Sequence, residues 1–315
     1  MRYAALPAAL ALVFNAFVWG LSWYPFRLMQ GQGLHPLWAN VLIFALAALL
    51  VTLWNPKVVA QLRTQPVLWI LALTAGATNA SFNWGVSVGE VVRVVLLFYL
   101  MPLWTALLAR VLLNEPLTMA LGVQVALALT GAAIVLKPAG SSLPLPQGLG
   151  DWLGIVAGAT FALTSVTLRR HAHIDGGARA IAMLVGSALV SCVVAAALRT
   201  SGEIAWPPVP APYWLGLAAL MAVAFLASNI AYQFGAARLP SGITAVVMVT
   251  EVLFAAVSAI LLGKESLTPE LLAGGGLILL AAILAVRTRA TGPAETASQT
   301  REARQIMRQL HDRNR

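Results

Sequence analysis

Charge is scarce in this chain. Of 315 residues only 10% are charged, whereas 60% are hydrophobic; a soluble domain carries roughly 25% charged residues. So much apolar surface cannot be hidden in one aqueous core, and the composition places the chain in a bilayer. Cysteine is nearly absent: the single Cys192 lies in an apolar run, which excludes an internal disulfide framework and reads as a packed thiol. The four histidines, His35, His171, His173 and His311, fall in loops or in the tail, and no His/Glu metal spacing occurs within an apolar run. A Gly-rich phosphate loop is also missing. Neither a metal, a cofactor nor ATP-driven work by this chain alone is therefore expected, and no enzyme chemistry is legible. A cleaved signal peptide is not expected either, because the apolar segment after Arg2 runs to about Met29, longer than such a peptide needs.

What the chain has in abundance is apolar runs of about 20 residues, the length of a helical span. Breakers and charges divide it into ten spans: Leu6 to Met29, Pro36 to Trp54, Val67 to Ser87, Val92 to Leu113, Leu117 to Leu136, Trp152 to Arg169, Ala178 to Leu198, Tyr213 to Ala236, Gly242 to Leu262 and Pro269 to Val286. The formal charge of +9 does not point to nucleic acid, because the basic residues are scattered between spans or gathered in the tail; they mark topology. With the N-terminus inside, the cytoplasmic side collects Arg2, Lys57, Arg63, Arg110, Arg169, Arg170, Arg179, Arg238, Arg287 and Arg289. The outside receives Arg93, Lys137, Arg199 and Lys264. An N-in, C-in chain is favoured. The polar, Arg-rich residues 288–315 read as a cytoplasmic basic tail.

The chain is also written twice. Asn229 minus Asn79, Gly235 minus Gly85, Glu265 minus Glu115 and Thr268 minus Thr118 all give 150. Leu and Ala matches are cheap in so apolar a sequence, but the Asn, the Gly and the shared Glu-x-Leu-Thr are not, and they mark an internal duplication. The expected organisation is a first five-helix repeat over 1–138, a Pro/Gly/Ser-rich linker over 139–151 and a second repeat over 152–287. Five spans is an odd number, so the second copy enters the membrane upside down. Such inverted repeats let one unit and its copy exchange conformations about a central site, an arrangement characteristic of transporters.

At this point the residues carry a family likeness. Asn114-Glu115-Pro116-Leu117-Thr118 and Lys264-Glu265-Ser266-Leu267-Thr268 resemble the Glu-containing junction of the EamA repeat. So does Asn15 to Arg27, with Trp19-Gly20 and Trp23-Tyr24. The likeness covers Leu6 to Val286 and extends to the drug/metabolite transporter superfamily, within it to the bacterial aromatic amino-acid exporters. Ala157 to Arg170 lacks the Trp-Gly pair, with Phe161-Ala162-Leu163-Thr164 as its degenerate copy. The resemblance implies an all-α, multi-pass inner-membrane carrier, ten helices in two inverted repeats, that exports amino acids or related metabolites; a broad drug or cation exporter is the alternative. The partners expected are a small substrate and the lipid bilayer, with the chain a monomer or homodimer.

Several polar residues inside the spans are candidates for the path. Asn79, Phe82 and Asn83 fall at i, i+3 and i+4 on one helix face, and Asn229, Tyr232 and Gln233 repeat the pattern of amide, aromatic, amide. Amides in a bilayer must bond something: they either glue helices together or line a polar path. Glu251 stands near the middle of its span, opposite Met101 in the first copy. An acid there costs about 2.5–3.5 kcal/mol on insertion scales; it holds an ammonium group, carries a proton or is a hydrogen-bonded structural acid. Arg27 either holds a carboxylate or snorkels. Trp19 and Tyr99 are cavity candidates among many aromatics, and Pro102, close to Tyr99, is a possible kink. Glu115 and Glu265 precede span starts, where a carboxylate ties backbone N–H groups or latches a gate.

Overall fold

The computed structural model describes residues 2–113, 119–136, 145–171, 173–208, 212–236, 247–248 and 250–290. In chain order the helices are α1 (Arg2–Leu21), α2 (Trp23–Gly31), α3 (Pro36–Trp54), α4 (Lys57–Thr64), α5 (Val67–Val88), α6 (Val91–Phe98), α7 (Met101–Leu113), α8 (Met119–Leu136), α9 (Leu149–Arg170), α10 (Gly176–Thr200), α11 (Pro212–Ala236), α12 (Thr250–Gly263) and α13 (Pro269–Ala290). No strand occurs among the described residues. Among the described residues five stretches are long and apolar enough to cross a membrane, six if the bent pair α4–α5 is one span; α8, α12, α13 and Val91–Thr105 supply shorter apolar helices.

Local chemistry sets many of the ends. Pro begins α3, α11 and α13 and immediately precedes α4 and α5, as expected where an N–H would have no helical partner. His35 Nδ1 accepts the Leu37 N–H at 3.2 Å, so its imidazole caps α3 as an acceptor, and burial lowers its pKa. Asp175 caps α10 through Ala178 N–H at 2.9 Å. The first expected span holds as one apolar stretch, Leu6–Gly31, with a turn between α1 and α2 where Ser22 bonds back to Trp19: its N–H and its hydroxyl both bond the Trp19 carbonyl, at 3.2 and 2.8 Å. The fourth is two helices, interrupted at Tyr99–Leu100, and Pro102 stands second in α7, where it breaks no helical bond. One helix, α4, was not expected; it meets α5 at 105° across Pro66. The expected linker 139–151 ends early, since α9 already begins at Leu149 and Asp151 lies in its first turn. The expected tail from 288 is described only as far as Ala290, in α13; residues 291–315 lie outside the described residues.

Among the described residues each buried apolar cluster draws on both halves of the chain. α1 of the first half packs on α11 and α12 of the second, while α9 of the second packs on α5, α6 and α7 of the first; α3 lies against α10 and α8 against α13. Small residues permit these approaches. A Cβ on Gly186 would come within 2.0 Å of the Ala72 carbonyl, one on Gly131 within 2.5 Å of the Gly274 carbonyl and one on Gly274 within 2.6 Å of the Gly131 carbonyl. Buried hydroxyls tie α5 to α9, Thr164 to Thr74 at 2.9 Å and Thr78 to Thr160 at 3.0 Å. Asn15 ties α1 to Ser228 on α11 at 2.6 Å. The outside is apolar, from Leu53 and Val111 to Leu261, and exposed Trp54, Trp69, Trp152 and Tyr213 stand near helix ends, where amphipathic rings favour a membrane boundary.

Candidate functional site

Two acids are buried among the described residues, Asp151 and Glu251. Glu251, in the first turn of α12, is buried, and its Oε2 accepts the Tyr99 hydroxyl at 3.2 Å. Tyr99 occupies the break between α6 and α7, so the two residues join the two halves of the chain. The same hydroxyl lies 3.1 Å from the Met248 carbonyl. Gly20 of α1 makes room beside them: a Cβ there would stand 2.8 Å from the Glu251 carbonyl. Farther along α12, Ser258 accepts Trp23 Nε1–H at 2.9 Å.

Aromatic rings run outward from this pair. Tyr99 meets Phe98 edge to face at 5.8 Å, Phe98 meets Phe82 at 5.0 Å and Phe161 at 5.4 Å, and Phe82 meets Trp19 at 6.3 Å. Trp19 then stacks on Phe225 at 4.5 Å, and Phe225 on Phe44 at 5.6 Å. The row draws rings from α1, α3, α5, α6, α9 and α11 and so crosses both halves. Each such pair adds roughly 0.5–1.5 kcal/mol beyond its buried area, and Phe44, Phe82, Phe98, Tyr99 and Phe225 are all buried, so the row packs the two halves together.

The two amide faces bond elsewhere. Asn79 donates to Ser187 on α10 at 2.7 Å, and Asn83 donates to Asn40 on α3 at 2.9 Å, while Asn40 donates to the Asn79 carbonyl at 3.0 Å. On α11, Gln233 donates to Asn229 at 2.7 Å, and Asn229, Tyr232 and Gln233 are all exposed. In this conformation the faces therefore hold helices or one another, and only Phe82 of the six joins the aromatic row.

At the α6 end of the bundle, charges tie the halves together. Glu265 accepts the Val91 N–H with both carboxylate oxygens, at 3.1 and 3.0 Å, and pairs with Arg27 at 3.1 Å. It thus serves the start of α6, in the other half, and not α13, which it precedes; Thr268 bonds Leu271 N–H there at 3.3 Å. The backbone explains the aim: Lys264 has φ 54, and the Glu265 N–H closes back on the Ala259 carbonyl at 3.1 Å, a helix-ending turn that throws the carboxylate aside. Arg27 also donates to the Gly89 carbonyl at 2.6 Å and lies 4.7 Å over the Trp23 ring; it is engaged, not left to snorkel. Arg93 grips Asp151 bidentately at 2.7 and 2.8 Å, fixing α6 to α9. Glu115 lies outside the described residues. Asn40, Phe44, Phe225 and the Arg93–Asp151 pair were not singled out from sequence; an Asn within an apolar span was a signal for the first, and nothing local marked the others.

The family model for EamA-like transporters matches residues 6–137 and again 148–287. The chain belongs to the EamA-like transporter family. It is accordingly a multi-pass membrane transporter of the drug/metabolite transporter superfamily, whose EamA-like members transport and are not enzymes. No curated protein matches the chain. Among solved structures, one crystal structure aligns at 16% identity over 90% of this chain and 99% of its own, with a TM-score of 0.53; that likeness shows the fold alone.

Proposed function

We propose that this EamA-like transporter exports amino acids, aromatic and other neutral ones first, or related metabolites, across the bacterial inner membrane by alternating access. In this reading ten spans, some of them broken into two helices, make two inverted five-span repeats with both termini cytoplasmic, and the path runs between the repeats. One observation carries the reading: Glu251 is buried where the halves meet, bonded by Tyr99 of the other half, at the end of a row of rings. A carboxylate in a dry wall attracts an ammonium group, and the rings beside it favour a flat apolar side chain. The interlocking of α1 with α11–α12 and of α9 with α5–α7 supports a rocking exchange of two equivalent arrangements.

Purified protein in proteoliposomes, tested with radiolabelled phenylalanine, tryptophan and threonine, checks it. Saturable flux of phenylalanine or tryptophan above empty vesicles is the expected result; no protein-dependent flux of any of the three sinks the amino-acid claim. The same acid among rings also suits an organic cation, so a broad drug or cation exporter is the second reading. Flux of a lipophilic aromatic cation that phenylalanine fails to compete with would favour it.

A further inference from the structure

We infer that α4 and the α9–α10 turn form a cationic ledge that binds the headgroup phosphate of an anionic phospholipid. α4 has no part in the proposed path. It meets α5 at 105°, so where α5 crosses the bilayer α4 lies close to the membrane plane. Its sequence suits that place. Val58 and Leu62, one helical turn apart, are 3% and 7% exposed and pack against α10 and the turn before it, whereas Lys57 and Arg63 are exposed off that face. Such a helix, apolar on one side and basic on the other, belongs at a lipid interface.

Two tryptophans mark the level of the ledge. Trp54, which ends α3, is 93% exposed, and Trp69, in the first turn of α5, is 49% exposed while its Nε1–H bonds the Leu62 carbonyl at 3.0 Å. Indoles favour the membrane boundary, and this bond also satisfies a carbonyl that the end of α4 would otherwise leave open. α4 therefore sits at headgroup depth. Trp69 holds one end of it, and the other is held by the close fit of Val58 on the first turn of α10, where a Cβ on Gly177 would stand 2.9 Å from Val58 Cγ1.

Charge names the ligand. α4 brings Lys57 and Arg63, and the α9–α10 turn brings Arg170 and Arg179. None of the four pairs with an acid among the described residues, whose ion pairs, Arg27–Glu265 and Arg93–Asp151, both lie at the α6 end. The one acid in these two segments, Asp175, is occupied as the cap of α10, accepting the Ala178 N–H at 2.9 Å. Arg179 is the most telling of the four. It stands in the first turn of α10, where the helix dipole disfavours a cation; it is half-buried, and its Nε is buried without a hydrogen-bond partner. An arginine so placed is not stabilised by its own helix end and needs an anion from outside the chain. A phosphate diester at headgroup depth supplies both the charge and the acceptor oxygens. With the topology proposed above the ledge faces the cytoplasmic leaflet, but the binding depends on neither sidedness nor transport.

Native mass spectrometry and thermal melting of the purified full-length protein test this. Offered phosphatidylglycerol and phosphatidylcholine in equal amounts, wild type should retain phosphatidylglycerol, and titrated phosphatidylglycerol should raise its melting midpoint where phosphatidylcholine does not. At about a fivefold change in affinity for each charge at the surface, Lys57→Gln/Arg63→Gln, at two exposed positions, should weaken phosphatidylglycerol binding by roughly 20- to 30-fold, and Arg179→Gln alone by about fivefold. Lys264→Gln, the same loss of charge at the α6 end, should leave it unchanged. Equal retention of the two lipids, a phosphatidylglycerol preference that either ledge variant leaves intact, or an equal loss in Lys264→Gln overturns the site. Inorganic phosphate is the third arm: protection by millimolar phosphate equal to that by the lipid would show a free-anion site and overturn the lipid assignment.

Discussion

Truncating Glu265 to Ala should loosen the start of α6, and the loss can be worked from its bonds. The carboxylate accepts the Val91 N–H through both oxygens, at 3.1 and 3.0 Å. Removing such a cap costs about 0.5–2 kcal/mol, and withdrawing a negative charge from a helix N-terminus about 0.3–1 kcal/mol more. The ion pair with Arg27 adds little: the two side chains are 27% and 15% exposed, exposed pairs are worth roughly 0–1 kcal/mol, and Arg27 keeps the Gly89 carbonyl and the Trp23 face. The total is about 1–3 kcal/mol. Glu265→Gln retains an acceptor but no charge and should lose about half as much. Thermal unfolding of purified protein in detergent reads this; at about 2–4 °C per kcal/mol for chains of 150–250 residues, the Ala variant should melt about 2–12 °C lower. Glu203→Gln, an exposed control, should not move. An Ala variant within about 1 °C of wild type would refute the assignment, because a charged cap bridging two halves cannot be removed without cost.

The crossing of α8 and α13 predicts opposite outcomes for neighbouring glycines. Gly274→Ala should destabilise by about 1–3 kcal/mol, since its Cβ would lie 2.6 Å from the Gly131 carbonyl, whereas Gly276→Ala, with nothing within 4 Å, should be neutral or gain up to about 1 kcal/mol; melting midpoints of the two variants check the sign. Asp151→Ala leaves Arg93 without its bidentate partner and should cost more than the double variant Arg93→Ala/Asp151→Ala, by about 1 kcal/mol or more, in a double-mutant cycle of unfolding. His35 gives a pH dependence. Burial depresses its folded pKa below the ordinary value, so the native state binds fewer protons than the unfolded one; its cap is fully present above about pH 6.5 and is lost as pH falls through the folded value. His35→Asn, which keeps an acceptor, should flatten that acid-side fall in stability, and an unchanged profile would exclude the assignment.

Much of the fold was legible because it rests on local rules. Apolar runs of span length, prolines at helix starts and the constant offset of 150 need no partner to be recognised. Breaks were harder. The turn at Ser22 is closed by its bond to Trp19, and the interruption at Tyr99–Leu100 lies inside a run, Val92 to Leu113, that reads as one continuous span. The site was legible by type and not by partner. Glu251 stood out because an acid in an apolar span is costly, but nothing in its neighbourhood named Tyr99, which is 152 positions away. The amide faces show the converse: their helical spacing was plain, yet Asn79 and Asn83 bond Ser187 and Asn40, so spacing alone did not say whether they glue helices or line a path.

By itself the sequence determined that this chain belongs in a membrane, that it is helical, that one unit is written twice, and that Glu251 and Glu265 are acids in costly or conspicuous places. Hydropathy, periodicity and repeated motifs are properties of neighbours along the chain. Tertiary structure alone decided which groups those acids meet: Tyr99 for Glu251, and Val91 N–H with Arg27 for Glu265. Such pairings depend on how α1 enters the second half and α9 the first, and that interlocking is set by close backbone crossings, as at Gly131–Gly274 and Gly186–Ala72, whose fit appears only when both helices are present.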